Sequence, residues 1–457
     1  MPQAYSSCQA VTSSNTQLMS SEAEPRVIKN ELEASICLLL KVVCAAARRV
    51  SERPRQRHNK RAVHHGNLMT KSSTLQPDDP FAEIRPLSNA EAPDVFRRLV
   101  HDKELIETIA IWRFPMPYRV WRSAARFMAR IWLKIAAGQL STVEDLQNLI
   151  APNLARIIQK TSRFSVSGTE ELDLEQPRVY LSNHRDIAMD PAYANYALHR
   201  AGAKTLAVAI GDNLLSKPWV ADLMRLNKSF VVKRNVNGPR ALLAATKLLS
   251  GYIRQAVSED WQPVWIAHRE GRAKDGRDLT EPAVIKMLTL SRRRGESRES
   301  VLSELGIVPL IISYELDPCD ALKAAELAAG DDYVKTEFED VASIAIGITG
   351  EKGCVHLHFG EPIAPDLDVA SVVAAIDEQM VRHYRLYCTN VWAWEQLSGE
   401  VLPDKLDVQP GSISRQSFEA RLNAVPETHR QQLLRMYANP VSRVLALPVQ
   451  ILDTPID

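Results

Sequence analysis

From about residue 175 the apolar positions come in short runs, at 178–182, 205–210, 229–233, 263–267, 308–314, 343–349 and 355–359. Between most of them apolar residues recur at helical spacing, as over 239–257 and 282–293. Short apolar runs read as buried strands, and strands alternating with helices imply a mostly parallel sheet covered on both faces. The last two runs are separated by Gly350-Glu351-Lys352-Gly353 and predict a hairpin. A helix is predicted over 369–386, and 396–457 reads as a polar, mostly helical appendix. The expected fold class is α/β, a mostly parallel sheet flanked by helices, with an N-terminal helical region and a C-terminal helical one.

The expected organisation is an extension at 1–80, a helical region at 88–160, an α/β domain at 175–365 and a helical region at 366–457. The extension is rich in Ser, Thr, Gln and Asn over 1–25, then carries the apolar stretch ICLLLKVVCAAA at 36–47 and the basic tract 48–65. That composition buries too little surface to offset chain entropy, so a disordered tail is expected, or sequence upstream of a start at Met69. The basic tract could also tether the chain to anionic lipid headgroups. Stretch 36–47 falls short of the ~18 residues that a spanning helix needs, and its flanking charges do not follow an export signal.

In the helical region, Trp121, Ala125, Met128, Trp132 and Ile135 fall on one face beyond the Pro115/Pro117 break, and Arg122, Arg126 and Arg130 form a cationic row. This pattern fits an interfacial membrane helix, and it equally fits a surface helix packing its apolar stripe inward.

Composition narrows the function. Of 457 residues, 56 are Lys or Arg and 55 are Asp or Glu, a net charge of +1 without the basic excess of a nucleic-acid binder. The six cysteines include no C-x-x-C pair, so neither a disulfide scaffold nor a zinc site of the usual spacing is expected.

Four segments carry candidate chemistry. LSNHRDIAMDP (181–191) leaves a strand and enters a helix, the place where catalytic groups gather in α/β sheets. It supplies His184 with Asp186 and Asp190, and a His beside a carboxylate is a general base held in one tautomer. Asp190 precedes Pro191 and so also reads as a helix N-cap. His184-Arg185-Asp186 spells a kinase triplet, but Pro191 stands where that pattern needs Asn. KSFVVKR (228–234) runs a strand into Lys233 and Arg234, and WIAHREGRAKDGRD (265–278) runs another into Glu270, Gly271, Arg272 and Lys274. Basic residues at strand exits suit phosphate. GIVPLIISYELDP (306–318) starts a buried strand with Pro309.

In this order the segments resemble the four blocks of the glycerolipid acyltransferases, the glycerol-3-phosphate and lysophosphatidic acid acyltransferases. The first block is matched by Asn183-His184 and Asp190, the second by Phe230 to Arg234, the third loosely by Glu270-Gly271-Arg272, and the fourth by Val308 to Ile312. The resemblance covers about 175–365. Two features depart from it. Asp190 stands six residues after His184 rather than five, and the small residue between Gly271 and Arg272 is missing. A loop over 184–190 would fold Asp190 back to His184, with Asp186 as the rival partner.

The resemblance implies transfer of a fatty acyl chain from acyl-CoA or acyl carrier protein to a hydroxyl of glycerol 3-phosphate or a lysophospholipid. His184 would be the general base, Asp190 or Asp186 its partner, and Lys233, Arg234, Glu270, Gly271, Arg272 and Lys274 would form the acceptor site. No cofactor or metal is expected. The membrane surface is the expected partner, nucleic acid is not, and the expected location is cytoplasmic and peripheral to the membrane. The alternatives are a catalytically degenerate lipid-binding protein of the same fold and a thioester or phosphate hydrolase.

Overall fold

The computed structural model describes residues 79–446 except 216, 235, 337, 338, 404 and 405, so the expectations for the extension lie outside the described residues. The described chain forms two compact units, one of 154–210 with 233–446, the other of 79–153 with 211–232.

The second unit is mostly helical. Helices α1 (Ala92–Leu99), α2 (Lys103–Arg113), α3 (Pro115–Val120) and α4 (Arg122–Ala137) precede α5 (Val143–Thr161). Asp102 caps α2, its side chain accepting from the Leu105 amide at 2.7 Å. The later segment 211–232 is stitched to this N-terminal part. Arg98 pairs with Asp222 at 2.8 Å, Lys217 pairs with Glu104, and Arg225 donates to the Ala82 and Arg85 carbonyls. Helix α4 buries one row, Ala125, Ala129, Leu133 and Ala136. Its opposite face leaves Phe127, Ile131 and Ile135 exposed, with Trp121 and Val120 beside its first turn. The apolar stripe read from the sequence straddles the border between these two faces.

The sheet has seven strands: β1 (Ser162–Ser167), β2 (Val179–Ser182), β3 (Ala207–Gly211), β4 (Ser229–Val232), β5 (Val264–Ala267), β6 (Val308–Tyr314) and β7 (Gly353–Phe359). Their order is β1-β7-β6-β2-β5-β3-β4. Strand β2 is central and runs parallel to both β5 and β6, with Leu181 opposite Ile266 and Pro309. β1 is parallel to β7 and β3 to β5, whereas β6 and β7 are antiparallel. Strands β2 and β6 are buried along their whole length, as strands covered on both faces must be. The α/β class expected from the sequence is what the chain adopts.

Helices follow the strands: α6 (Met189–Arg200), α7 (Pro218–Leu226), α8 (Pro239–Ser258), α9 (Pro282–Leu288), α10 (Arg298–Leu305), α11 (Asp320–Ala329), α12 (Glu339–Thr349) and α13 (Val369–Arg382). α12 corrects one expectation. The sequence predicts a strand at 343–349, in a hairpin with the next run. These residues are helical, and β7 pairs with β6 instead. Ser343, Ile344, Ala345, Gly347 and Ile348 are all buried, so the run shows no one-sided pattern, and such a run fits a buried helix as well as a strand. Glu339 and Asp340 in the first turn favour the helix through its dipole.

Beyond β8 (Leu386–Tyr387), α14 (Cys388–Ser398), β9 (Val408–Gln409), α15 (Arg415–Ala424) and α16 (Glu427–Leu445) complete the first unit. This segment packs Trp392, Phe418, Leu433, Tyr437 and Val441 into one core with Leu316, Ala324 and Val381. Tyr437 ties it to the chain after β6, accepting from the Asp317 amide at 3.0 Å and donating to Asp320 at 2.8 Å.

Candidate functional site

β2 ends at Ser182, and the chain turns through 183–188 before α6 starts at Met189. Two carboxylates shape that turn. Asp186 Oδ1 accepts from the amides of Ala188 (2.9 Å) and Met189 (2.8 Å), satisfying donors that a helix start leaves without partners. Asp190 lies one turn on and is fully buried. Its Oδ2 accepts from His184 Nδ1 at 2.9 Å, the Arg185 amide at 2.6 Å and the Asp186 amide at 2.9 Å. Its Oδ1 accepts from the Tyr314 hydroxyl at 2.7 Å.

This arrangement corrects the reading of Asp190 as the helix cap. Asp186 makes the capping bonds, while Asp190 is inside the first turn of α6. Pro191 does not hold Asp190 out of the helix, because a proline is tolerated in the first turn, where its missing N–H has no helical acceptor. The six-residue step from His184 to Asp190 closes because the turn before Met189 is not helical. Of the two rivals, Asp190 is the one bonded to the His184 ring.

With Nδ1 directed at a carboxylate, the neutral imidazole carries its proton there and its lone pair on Nε2. The ring packs edge-on against Trp265, with centroids 5.5 Å apart, and its side chain is 14% exposed. A base with a buried orienting partner and a partly open ring has the geometry for proton transfer to a bound molecule.

The residues on either side of His184 are clamped. Asn183 exchanges hydrogen bonds with the backbone of Ile312 on β6, at 3.0 and 2.8 Å. Arg185 is buried, donates to Asp278 Oδ2 from Nε (3.0 Å) and Nη2 (2.6 Å), and lies over the Tyr384 ring. Burial pushes the Asp278 carboxyl up, but Arg185 and then His268 outweigh that push and hold it below the usual carboxylate range. Asp186 is raised, first by burial and then by Asp190. Burial and Asp190 push Tyr314 well above the usual phenol range, so its hydroxyl keeps the proton it donates. His268, after β5, is pushed down to about 4 by burial and is neutral near pH 7.

The other expected site residues spread over the exits of β4 and β5. Lys233 is half-buried and Arg234 exposed. The Arg234 guanidinium is 3.9 Å from the carboxylate of Glu270, which is itself 73% exposed. Gly271 has φ +73°, a left-handed conformation that glycine adopts at little cost. Arg272 is half-buried, and the next residue, Ala273, donates its amide to the His184 carbonyl at 2.7 Å. That bond brings the third segment to His184. Lys274 is paired with Glu326 on α11. Among the described residues, no group of three or more His, Cys, Asp or Glu could hold a metal ion.

Sequence reasoning did not single out Tyr314, Arg185, Asp278 or Trp265. Tyr314 closes an apolar strand, and Asp278 is one of several charges in a basic loop, so neither carried a distinguishing local signal.

No curated protein matches the chain. The family model described as Acyltransferase matches residues 163–302, a stretch that holds His184, Asp190, the basic exits of β4 and β5, and Asp278, and the match supports an acyltransferase.

Proposed function

We propose that this protein transfers a fatty acyl chain from the thioester of acyl-CoA or acyl carrier protein to a hydroxyl of glycerol 3-phosphate or of a lysophospholipid, at the membrane surface. The observation that carries the reading is the 2.9 Å contact between His184 Nδ1 and Asp190 Oδ2 inside the segment matching an acyltransferase. His184 Nε2 takes the hydroxyl proton as the oxygen attacks the thioester carbonyl. The tetrahedral intermediate then collapses, the C–S bond breaks, and the thiolate leaves with the proton from the imidazolium. Asp190 stabilises the charged ring between these steps. No covalent acyl-enzyme is needed. Arg234, Arg272 and Lys233, at the exits of β4 and β5, bind the acceptor's phosphate, a group that guanidinium and ammonium donors favour. Membrane contact comes through Phe127, Ile131 and Ile135 of α4, flanked by exposed Arg130 and Lys134. Among the described residues no helix is long and apolar enough to cross a membrane, so the proposed contact is peripheral.

The test is transfer of radiolabelled acyl groups from acyl-CoA and from acyl carrier protein to glycerol 3-phosphate, to its monoacylated form and to water, with His184→Ala in parallel. Labelled lipid from a phosphorylated acceptor, lost in the variant, supports the reading. Free fatty acid released at one rate whatever the acceptor identifies a hydrolase, and no labelled lipid from either acceptor ends the proposal.

A further inference from the structure

Pro440 lies inside helix α16 and has no N–H, so the Met436 carbonyl one turn earlier lacks its usual helical donor. That carbonyl is turned onto Gly276, where a Cβ would come within 2.1 Å of it. Gly276 has φ +77° and carries no side chain, which lets the helix and the 275–278 loop meet backbone to backbone. The same face of α16 makes three hydrogen bonds to this loop. Asn439 Nδ2 donates to the Asp275 carbonyl at 2.7 Å, and Arg443 Nη1 donates to the carbonyls of Arg277 at 2.6 Å and Asp278 at 2.8 Å. Met436, Asn439, Pro440 and Arg443 are spaced by three and four residues and so share one side of the helix.

The loop and Ala273 just before it are in turn bonded to three consecutive residues, Asn183 to Arg185. Ala273 donates its amide to the His184 carbonyl, the Gly276 carbonyl accepts from Arg185 Nη2 at 3.3 Å, and Asp278 Oδ2 accepts from Arg185 and from Asn183 Nδ2 at 3.2 Å. Asp278 holds φ +49°, a conformation that a non-glycine residue keeps only where its surroundings fix it. Two carbonyls of this stretch, its own and that of Arg277, are fixed by Arg443. A small pocket between helix and loop is lined by Asn183, Gly276, Asp278, Tyr384, Pro440 and Arg443 among others, and Asp278 Oδ1 lies buried beside it without a hydrogen-bond partner.

We infer that Arg443 and Asn439 of the C-terminal helix are positioning residues for His184, setting the ring through the 275–278 loop and the Asn183–Arg185 clamp. The inference rests on the reading of His184 as the base. Residues 436–443 lie well beyond the segment 163–302 that matches an acyltransferase. It touches backbone and buried side chains, so its loss should lower turnover without weakening acceptor binding. A 1 Å misplacement of a reacting group is worth on the order of 100-fold in rate.

The experiment uses the full chain with Arg443→Ala, Arg443→Lys, Asn439→Leu and, as a control on the same helix, Arg435→Ala at an exposed position. Two quantities are read: kcat and KM for the acceptor, and the ring-nitrogen NMR signals of His184 in histidine-labelled protein, identified by their absence in His184→Ala. We expect Arg443→Ala to lower kcat roughly 10- to 100-fold at unchanged KM and to move the His184 ring signals, Arg443→Lys to recover part of both, and Arg435→Ala to change neither. Asn439→Leu removes one bond and should show the same pattern more weakly, which keeps the test open if Arg443→Ala fails to fold. Folded variants with parental kcat and unmoved His184 signals would overturn the inference. The NMR signals do not depend on turnover, so they decide the positioning claim even if His184→Ala shows that the ring is not the base.

Discussion

Asp186 and Asp190 are four residues apart and both buried, yet they hold different groups. Asp190 fixes the His184 ring, while Asp186 binds the amides of Ala188 and Met189. Asp190→Asn keeps the size of the side chain and removes the charge facing the ring. It should lower kcat by about 10²–10⁴, close to His184→Ala, because the imidazolium loses its counter-charge. Asp186→Ala should instead lower stability by about 1–2 kcal/mol, as loss of a helix cap does. Turnover and denaturant midpoints on the purified variants check both, and the opposite ranking would make Asp186 the catalytic carboxylate.

The basic residues separate by their partners. Arg234 and Arg272 should each contribute about 1.5–3 kcal/mol to binding a phosphorylated acceptor, so replacement by alanine should raise the acceptor KM roughly 10- to 150-fold. Lys274 is held by Glu326, and Lys274→Ala should raise it far less. The donor KM should stay near its parental value throughout. A parallel rise in both constants would place the arginines on the thioester side or in the fold.

Membrane binding should follow the exposed row of α4. Phe127→Ser and Ile131→Ser each remove a side chain whose full burial in an apolar phase is worth about 1.5–3 kcal/mol, and each should reduce sedimentation with vesicles. Arg126 is already engaged by Glu107, so salt sensitivity should depend more on Arg130 and Lys134. Anionic vesicles should hold more protein than neutral ones at low salt. If the serine variants bind like the parent, α4 is not the contact.

Acid should destabilise the fold through histidines on β7. His356 is buried between Ser165 and Ser167, and burial pulls it down to about 3; His358 falls to about 4 for the same reason, with His383 stacked on it. The unfolded chain takes up these protons near pH 6.5, before the folded one does, so stability falls as pH drops below that value and is unaffected above it. His356 alone should cost about 1.4 kcal/mol per pH unit. Urea midpoints at roughly pH 7 and pH 5 should therefore draw apart less in His356→Gln than in the parent. An equal gap would show that other groups dominate the acid response.

Much of the strand framework could be read from the chain because fully buried strands such as Val308–Tyr314 leave uninterrupted apolar runs. The same signal failed at 343–349, where a helix buried on most sides erases its own periodicity. β1 escaped notice because its polar alternation, SRFSVS, continues directly from a helix. At the site, His184 and its two carboxylates stood out through their closeness in sequence. Which carboxylate meets the ring depends on a turn whose shape is set by amides, and no residue type announces that. Tyr314 and Asp278 reach the site only through strand order and loop closure, over 124 and 93 residues respectively.

The order of the sheet also sets an order in time. Strand β1 pairs with β7, and the Ser165–His356 bond between them spans 191 residues. At a synthesis rate of roughly 5–20 residues per second, β1 would wait about 10–40 s for its partner to be made. During that interval its backbone would be an open edge. Ser162, Arg163, Ser165 and Ser167 make that edge polar and charged, as nascent strands need to be to avoid pairing with neighbouring chains.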